Sequence, residues 1–190
     1  MPSLIVMGSI AFAVALIKVD FEKIINELQA AYNISRHRTL QQDPAFGIRQ
    51  IVDMALRALS PSTNDTTTAV MCVDYLTAIL ARLASRGLPS SHRYEDGEMR
   101  VVVIGQTFAS LVAESFDQIR GSAAGNVAIM LRMLDALQTI ASLTAGQSRR
   151  RTLREQLQWI AELAERTLGS PYDRARFESR LASVRKTLKT

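Results

Sequence analysis

DPAFGIRQIVDMALRALSPSTNDTTTAVMCVDYLTAILARL, residues 43–83, is the stretch whose reading decides the fold. Ile48, Ile51, Val52, Ala55, Leu56 and Leu59 recur at spacings of three and four, which places them on one face of a helix. Asp43 suits an N-cap, because its carboxylate accepts from backbone N–H groups left free at a helix start. Pro44 suits the first helical position, where no N–H is needed. Pro61 disfavours helical backbone at Ser60, so this helix ends near there. Ser62, Thr63, Asn64 and Asp65 suit a turn or a new cap. A second apolar stripe follows in Ala69, Cys72, Val73, Leu76, Ile79, Leu80 and Leu83. The stretch predicts two antiparallel helices joined by a tight polar turn, SPSTND. On another face of the first helix, Arg49, Asp53 and Arg57 stand four residues apart. That spacing predicts an ion-pair ladder worth ~0.2–0.5 kcal/mol per pair.

Residues 38–70, RTLQQDPAFGIRQIVDMALRALSPSTNDTTTAV, also carry a dense motif. Its pattern, RT-x-x-QD-x-x-FG-x-RQ-x-VD-x-A-x-RALSP-x-x-ND-P-x-TA, resembles the signature of the domain of unknown function 2254 family, bacterial predicted membrane proteins. Arg38, Thr39, Gln42, Asp43, Phe46, Gly47, Arg49, Gln50, Val52, Asp53, Ala55, Arg57 to Pro61, Asn64, Asp65, Thr68 and Ala69 match it. Thr66 stands where the pattern has proline. The likeness continues more loosely, with FDQIR at 116–120 another matching piece. It implies several N-terminal membrane spans in a complete member. With 37 residues ahead of Arg38, this chain resembles a member shortened at its N-terminus. The resemblance also implies a place at the bacterial inner membrane, with the helical part on the cytoplasmic side.

The global numbers agree with one core of helices. The chain has 190 residues, 47% of them hydrophobic, with 9 glycines and 5 prolines. That length buries a real core, and that balance favours helices over sheets. One cysteine excludes an internal disulfide and fits a reducing compartment. Cys72 falls on an apolar stripe and reads as a packed thiol.

Outside the central hairpin, residues 1–19 form an apolar N-terminal segment and 20–190 a single helical domain. LIVMGSIAFAVALI, residues 4–17, carries no charge but is shorter than the ~20 residues a spanning helix needs. It reads as a membrane-helix remnant, a signal-like segment or a buried strand. Whichever holds, it is too apolar to leave exposed and is expected to meet a membrane or a second copy of the chain. Residues 20–35 predict an amphipathic helix with Phe21, Ile24, Ile25, Leu28, Ala31 and Tyr32 on one face. SSHRYEDGE reads as a polar loop. Arg100 to Ile104, RVVVI, is the best strand candidate, and it needs a partner such as the N-terminal segment or another copy.

Helical periodicity returns from Thr107, is broken by Gly121, Ser122 and Gly125, and resumes after Asn126, a cap candidate. Met133 broadens the apolar surface of that helix, which predicts a central position. Residues 149–190 hold two basic amphipathic helices separated by Gly169, Ser170 and Pro171. That region has 11 Lys or Arg against 5 Asp or Glu, so the first 148 residues carry −1 of the whole-chain +5. The fold class is all-α: a bundle of about six helices with a minor strand element near 100–104.

No cofactor or metal is expected. His37 and His92 are the only histidines and lie at no ligand spacing, and no glycine-rich phosphate loop or nucleophile elbow is present. The candidate binding residues are Arg38, Asp43, Arg49, Asp53, Arg57, Asn64, Asp65 and Thr68. One reading makes them caps, a ladder and a turn. The other makes Arg49, Arg57 and the joint a cleft for an anion or a partner segment. The expected role is a cytosolic, non-catalytic helical domain serving assembly, partner docking or regulation of a membrane protein. A second class is an enzyme whose Asp43, Asp53 and Asp65 converge on a ligand, with or without a metal. A third is a nucleic-acid module using Arg149 to Arg151, which equally suit anionic lipid. Too few aromatics accompany them to favour nucleic acid.

Overall fold

A computed structural model of the chain describes residues 6–7, 10–14, 22, 25–26, 43–87, 92–103 and 105–189. Six helices lie among them: α1 (Pro44–Ala58), α2 (Thr66–Ala84), α3 (Phe108–Ser122), α4 (Val127–Ser142), α5 (Gln147–Thr167) and α6 (Pro171–Lys189). Four strands accompany them: β1 (Val6–Met7), β2 (Ile10–Val14), β3 (His92–Glu95) and β4 (Glu98–Val103). The fold is mainly α with a small antiparallel sheet. The chain divides into two compact units, one from Met1–Asp43 and Pro89–Gln106, the other from Pro44–Leu88 and Thr107–Thr190.

In the smaller unit the strands run in the order β1-β2-β4-β3, every neighbour antiparallel. The expected strand at 100–104 is found as β4, with Ile104 outside the described residues. Its partner is the N-terminal segment, where Phe12, Ala13 and Val14 pair with Val103, Val102 and Val101. The described part of residues 4–17 is therefore strand. SSHRYEDGE is not simply a loop, because His92–Glu95 pairs with β4 across Asp96-Gly97. Both turn residues have positive φ, 52° and 79°. That is the two-residue hairpin turn in which Asp-Gly is favoured, since its twist matches the flanking strands. Of the helix expected over 20–35, only Glu22, Ile25 and Asn26 are described; they are helical, and Ile25 is 45% exposed. The rest of that helix lies outside the described residues.

The larger unit is the helical bundle. The α1–α2 hairpin forms as the periodicity predicts, and α1 packs against both α2 and α3. Ile48, Val52 and Ala55 of α1 meet the core, as do Cys72, Val73, Leu76 and Leu80 of α2. Leu56, Ile51, Leu59, Ile79 and Leu83 are only partly buried, at the edges of their stripes. Helix α4 packs against α2, α5 and α6 and buries Met130, Met133, Leu134 and Leu137, the central place its broad apolar surface predicts. Each fully buried Leu or Phe here contributes roughly 1.5–3 kcal/mol of transfer free energy.

Starts and stops follow the expected chemistry. Thr107 and Ser110 form a reciprocal capping box at the start of α3, and Asn126 caps α4. Gly125, at φ 74°, takes the left-handed backbone between them. Three residues connect α5 to α6, which makes these two an antiparallel pair.

Candidate functional site

The polar joint is built by hydrogen bonds that close one helix and open the next. Ser60 Oγ donates to the Arg57 carbonyl at 2.8 Å, and the Asp65 N–H donates to the Ala58 carbonyl at 2.7 Å. Asn64 takes a positive φ of 45°, a conformation asparagine tolerates. Asp65 caps α2 by accepting from the Thr68 N–H at 3.0 Å and from the Thr68 hydroxyl. The hydroxyl, and then the N–H, hold the Asp65 carboxyl below its ordinary value. Thr66 accepts at 3.1 Å from Asn126 Nδ2, tying the start of α2 to the start of α4. Threonine therefore serves where the signature has proline.

The other candidate residues do not gather there. Arg49 pairs with Glu114 of α3 at 2.8 Å, while Asp53 and Arg57 are exposed. No salt bridge within 4.0 Å links Asp53 to either arginine, so the expected ladder does not form. An exposed intrahelical pair gains too little to hold two mobile side chains, whereas Glu114 offers Arg49 a contact between helices. Asp43 precedes α1, Asp53 is on its outer face, and Asp65 lies past its far end. A helix rises 1.5 Å per residue, so about 15 Å of α1 separates the first two. The three carboxylates do not converge. Among the described residues no three His, Cys, Asp or Glu are placed to hold a metal. Arg38 lies outside the described residues.

Two arginines of the basic run are committed to the bundle, and the third, Arg151, is exposed. Arg149 Nη1 donates to the carbonyls of Leu83, Ala84 and Arg86 at 3.2, 2.9 and 2.9 Å. Its guanidinium also lies 5.2 Å from the centre of the Phe108 ring. Arg150 donates to the Thr144 carbonyl at 3.0 Å and the Thr187 carbonyl at 3.1 Å. Arg151 pairs with Glu155 at 3.0 Å. Carbonyls at a helix end lack intrahelical partners and carry partial negative charge, which a guanidinium satisfies. Arg149 and Arg150 are caps supplied from a distance. Sequence spacing does not disclose that, because all the acceptors but the Thr144 carbonyl are 37 to 66 residues away.

Two polar clusters between helices also escape a one-dimensional reading. Arg132 of α4 grips Asp74 of α2 with two hydrogen bonds, and Arg180 of α6 reaches Asp135 of α4 at 2.5 Å. Asp74 raises the pKa of Arg132 further, chiefly through that hydrogen bond. Buried Gln156 of α5 donates at 2.8 Å to Asp117 of α3, and Arg120 lies 5.3 Å from the Trp159 ring centre. FDQIR therefore supplies the polar seam between α3 and α5. The only signals in the sequence were the spacings of three within Arg132/Asp135 and Asp117/Arg120.

An open groove of about 780 Å³ lies between α5 and α6, and a second, of about 700 Å³, between α4 and α6. The first is the more apolar in its floor. Ala161 and Ala164, being small, leave room above a floor of Leu157, Phe177 and Leu181. Its rim is charged: Arg154, Arg185 and Lys189 at one end, Glu162, Glu165 and Glu178 toward the other, where Arg174 also lies and donates to the Leu168 carbonyl. The chemistry this offers is recognition of an amphipathic surface. The sequence reading passed over it, because each helix alone shows only an ordinary core stripe.

Residues 3–139 match a family described as predicted membrane protein (DUF2254). An uncharacterized protein of Mycobacterium bovis and two of Mycobacterium tuberculosis are each 37% identical to this chain over 144 residues. The alignment takes in 75% of this chain and 28% of each relative's length. No solved structure is significantly similar to the chain. The α5–α6 groove lies beyond the residues matched by the family.

Proposed function

This chain belongs to the domain of unknown function 2254 family of predicted membrane proteins, and from that premise we propose that its helical unit is a non-catalytic docking domain on the cytoplasmic side of a bacterial inner membrane. It serves assembly of the membrane protein or its pairing with a partner. The observation that carries this reading is the division of labour among polar side chains. Asp65, Thr68, Arg149 and Arg150 are committed to helix ends, and the larger of the two open grooves is a charged-rimmed one between two helices. Such a groove suits a macromolecular surface better than a small substrate, since it is open and lacks a convergent set of polar groups.

An enzyme built on Asp43, Asp53 and Asp65 needs carboxylates that meet, whereas Asp53 is exposed on α1 and Asp65 is committed to the cap of α2. A nucleic-acid module built on Arg149 to Arg151 needs free guanidinium groups, and two of the three are engaged with carbonyls. The buried, solitary Cys72 suits a reducing compartment. Burial raises its thiol pKa, so it is poorly suited to act as a nucleophile.

Sidedness is tested with the whole protein in its native membrane, carrying at its C-terminus either a fluorescent protein or alkaline phosphatase. The expected result is bright fluorescence and inactive phosphatase. Active phosphatase with no fluorescence places the domain on the other side and sinks this reading.

A further inference from the structure

We infer that the α5–α6 groove is covered by the same face of a second copy of this chain, forming a twofold dimer. The inference rests on the docking reading above and names its partner. Because α5 and α6 run antiparallel, Arg154 and Arg185 lie at one level of the groove, and Glu162 and Glu178 lie together at another. Arg154 and Glu162 are equidistant in sequence from Gln158, which also lines the groove. Now let a twofold axis pass through the level of Gln158, in the plane of the interface and across the helices. The second copy then turns face to face and end over end. Arg154 of one copy meets Glu162 of the other, and Arg185 meets Glu178, each pair occurring twice. The alternative axis, parallel to the helices, sets like charges against each other. Lys189 then falls opposite Arg174 of the other copy, a like-charge contact that the four attractive pairs outnumber, so charge arrangement favours this isologous geometry.

Two further features agree. Arg154, Glu178 and Arg185 make no salt bridge within 4.0 Å among the described residues, so they are available to a partner. The floor beneath them is apolar, and the gap over Ala161 accepts a ridge of side chains from a facing helix. A face two helices wide and about 28 Å long covers on the order of 500–600 Å² per copy. That is below the ~800 Å² of a standard interface, so the dimer is weak and reversible.

The test is sedimentation equilibrium of the full 190-residue chain from about 5 µM to 500 µM, at low and high salt. The expected result is a concentration-dependent dimer that loosens as salt rises. Glu162→Arg with Glu178→Arg gives one variant, and Arg154→Glu with Arg185→Glu gives another. Each alone is expected to be monomeric over this range, while an equimolar mixture recovers a heterodimer. All four positions lie on the exposed rim, and an unchanged circular dichroism melt verifies that each variant folds. A wild-type chain that stays monomeric, or variants that dimerise as well as wild type, overturns the inference. Either outcome leaves the reporter test of sidedness untouched, so the two failures are separable.

Discussion

At Arg149 one guanidinium replaces the intrahelical partners that the last turn of α2 lacks. Three carbonyls accept from the same nitrogen, and the aromatic ring of Phe108 lies against its face. Arg149→Met keeps the aliphatic stem but removes these hydrogen bonds, leaving the Leu83 carbonyl its bond from the Arg86 N–H, and we expect a loss of about 1.5–3 kcal/mol in urea unfolding. Arg149→Lys should recover only part of it, because an ammonium cannot lie flat against the Phe108 ring while it reaches the carbonyls. A Met variant as stable as the parent refutes the capping role. Read along the sequence, Arg149 to Arg151 look like a surface patch, since nothing local marks their acceptors. Asp65 is the contrasting case. Its acceptor role is decided by Thr68, three residues away, so local chemistry already places it among the four turn or cap residues of the joint.

Most of each element was legible, and for a physical reason. Periodicity, N-caps and proline positions are local, and they place α1 to α6 and the break at Gly125 correctly. What failed depended on partners distant in sequence. Arg49 turned from Asp53 to Glu114, and β3 was hidden in a polar stretch whose Asp96-Gly97 turn was the unread signal. The depth of burial was also only partly readable, because a stripe has edges. Leu76, fully buried in α2, and Leu56, half-buried in α1, both read as inward from spacing. Leu76→Ala should cost ~2–5 kcal/mol, and Leu56→Ala distinctly less, since water already reaches its site. Equal losses in parallel denaturation curves contradict that ranking.

At the scale of the molecule, α2 holds two properties in tension. It is the helix among the described residues that is long and apolar enough to cross a membrane, yet its buried face, Leu76 and Leu80 included, belongs to the core of the bundle. Its outer side carries exposed Met71 and Tyr75. If the bundle is its working environment, Tyr75→Lys should alter stability by no more than about 0.5 kcal/mol and leave the chain's partition between membrane and supernatant unchanged. A spanning α2 predicts loss of the membrane fraction instead. The clasp at Arg149 has a consequence in time. Ala84 and Arg149 are 65 residues apart, and a ribosome needs roughly 3–13 s to make that interval at ~5–20 residues per second. Each new hairpin therefore leaves the ribosome unfinished at one end and stays so through the synthesis of four more elements. Arg149 completes the end of α2, so the α1–α2 hairpin is secured only once the start of α5 has been made.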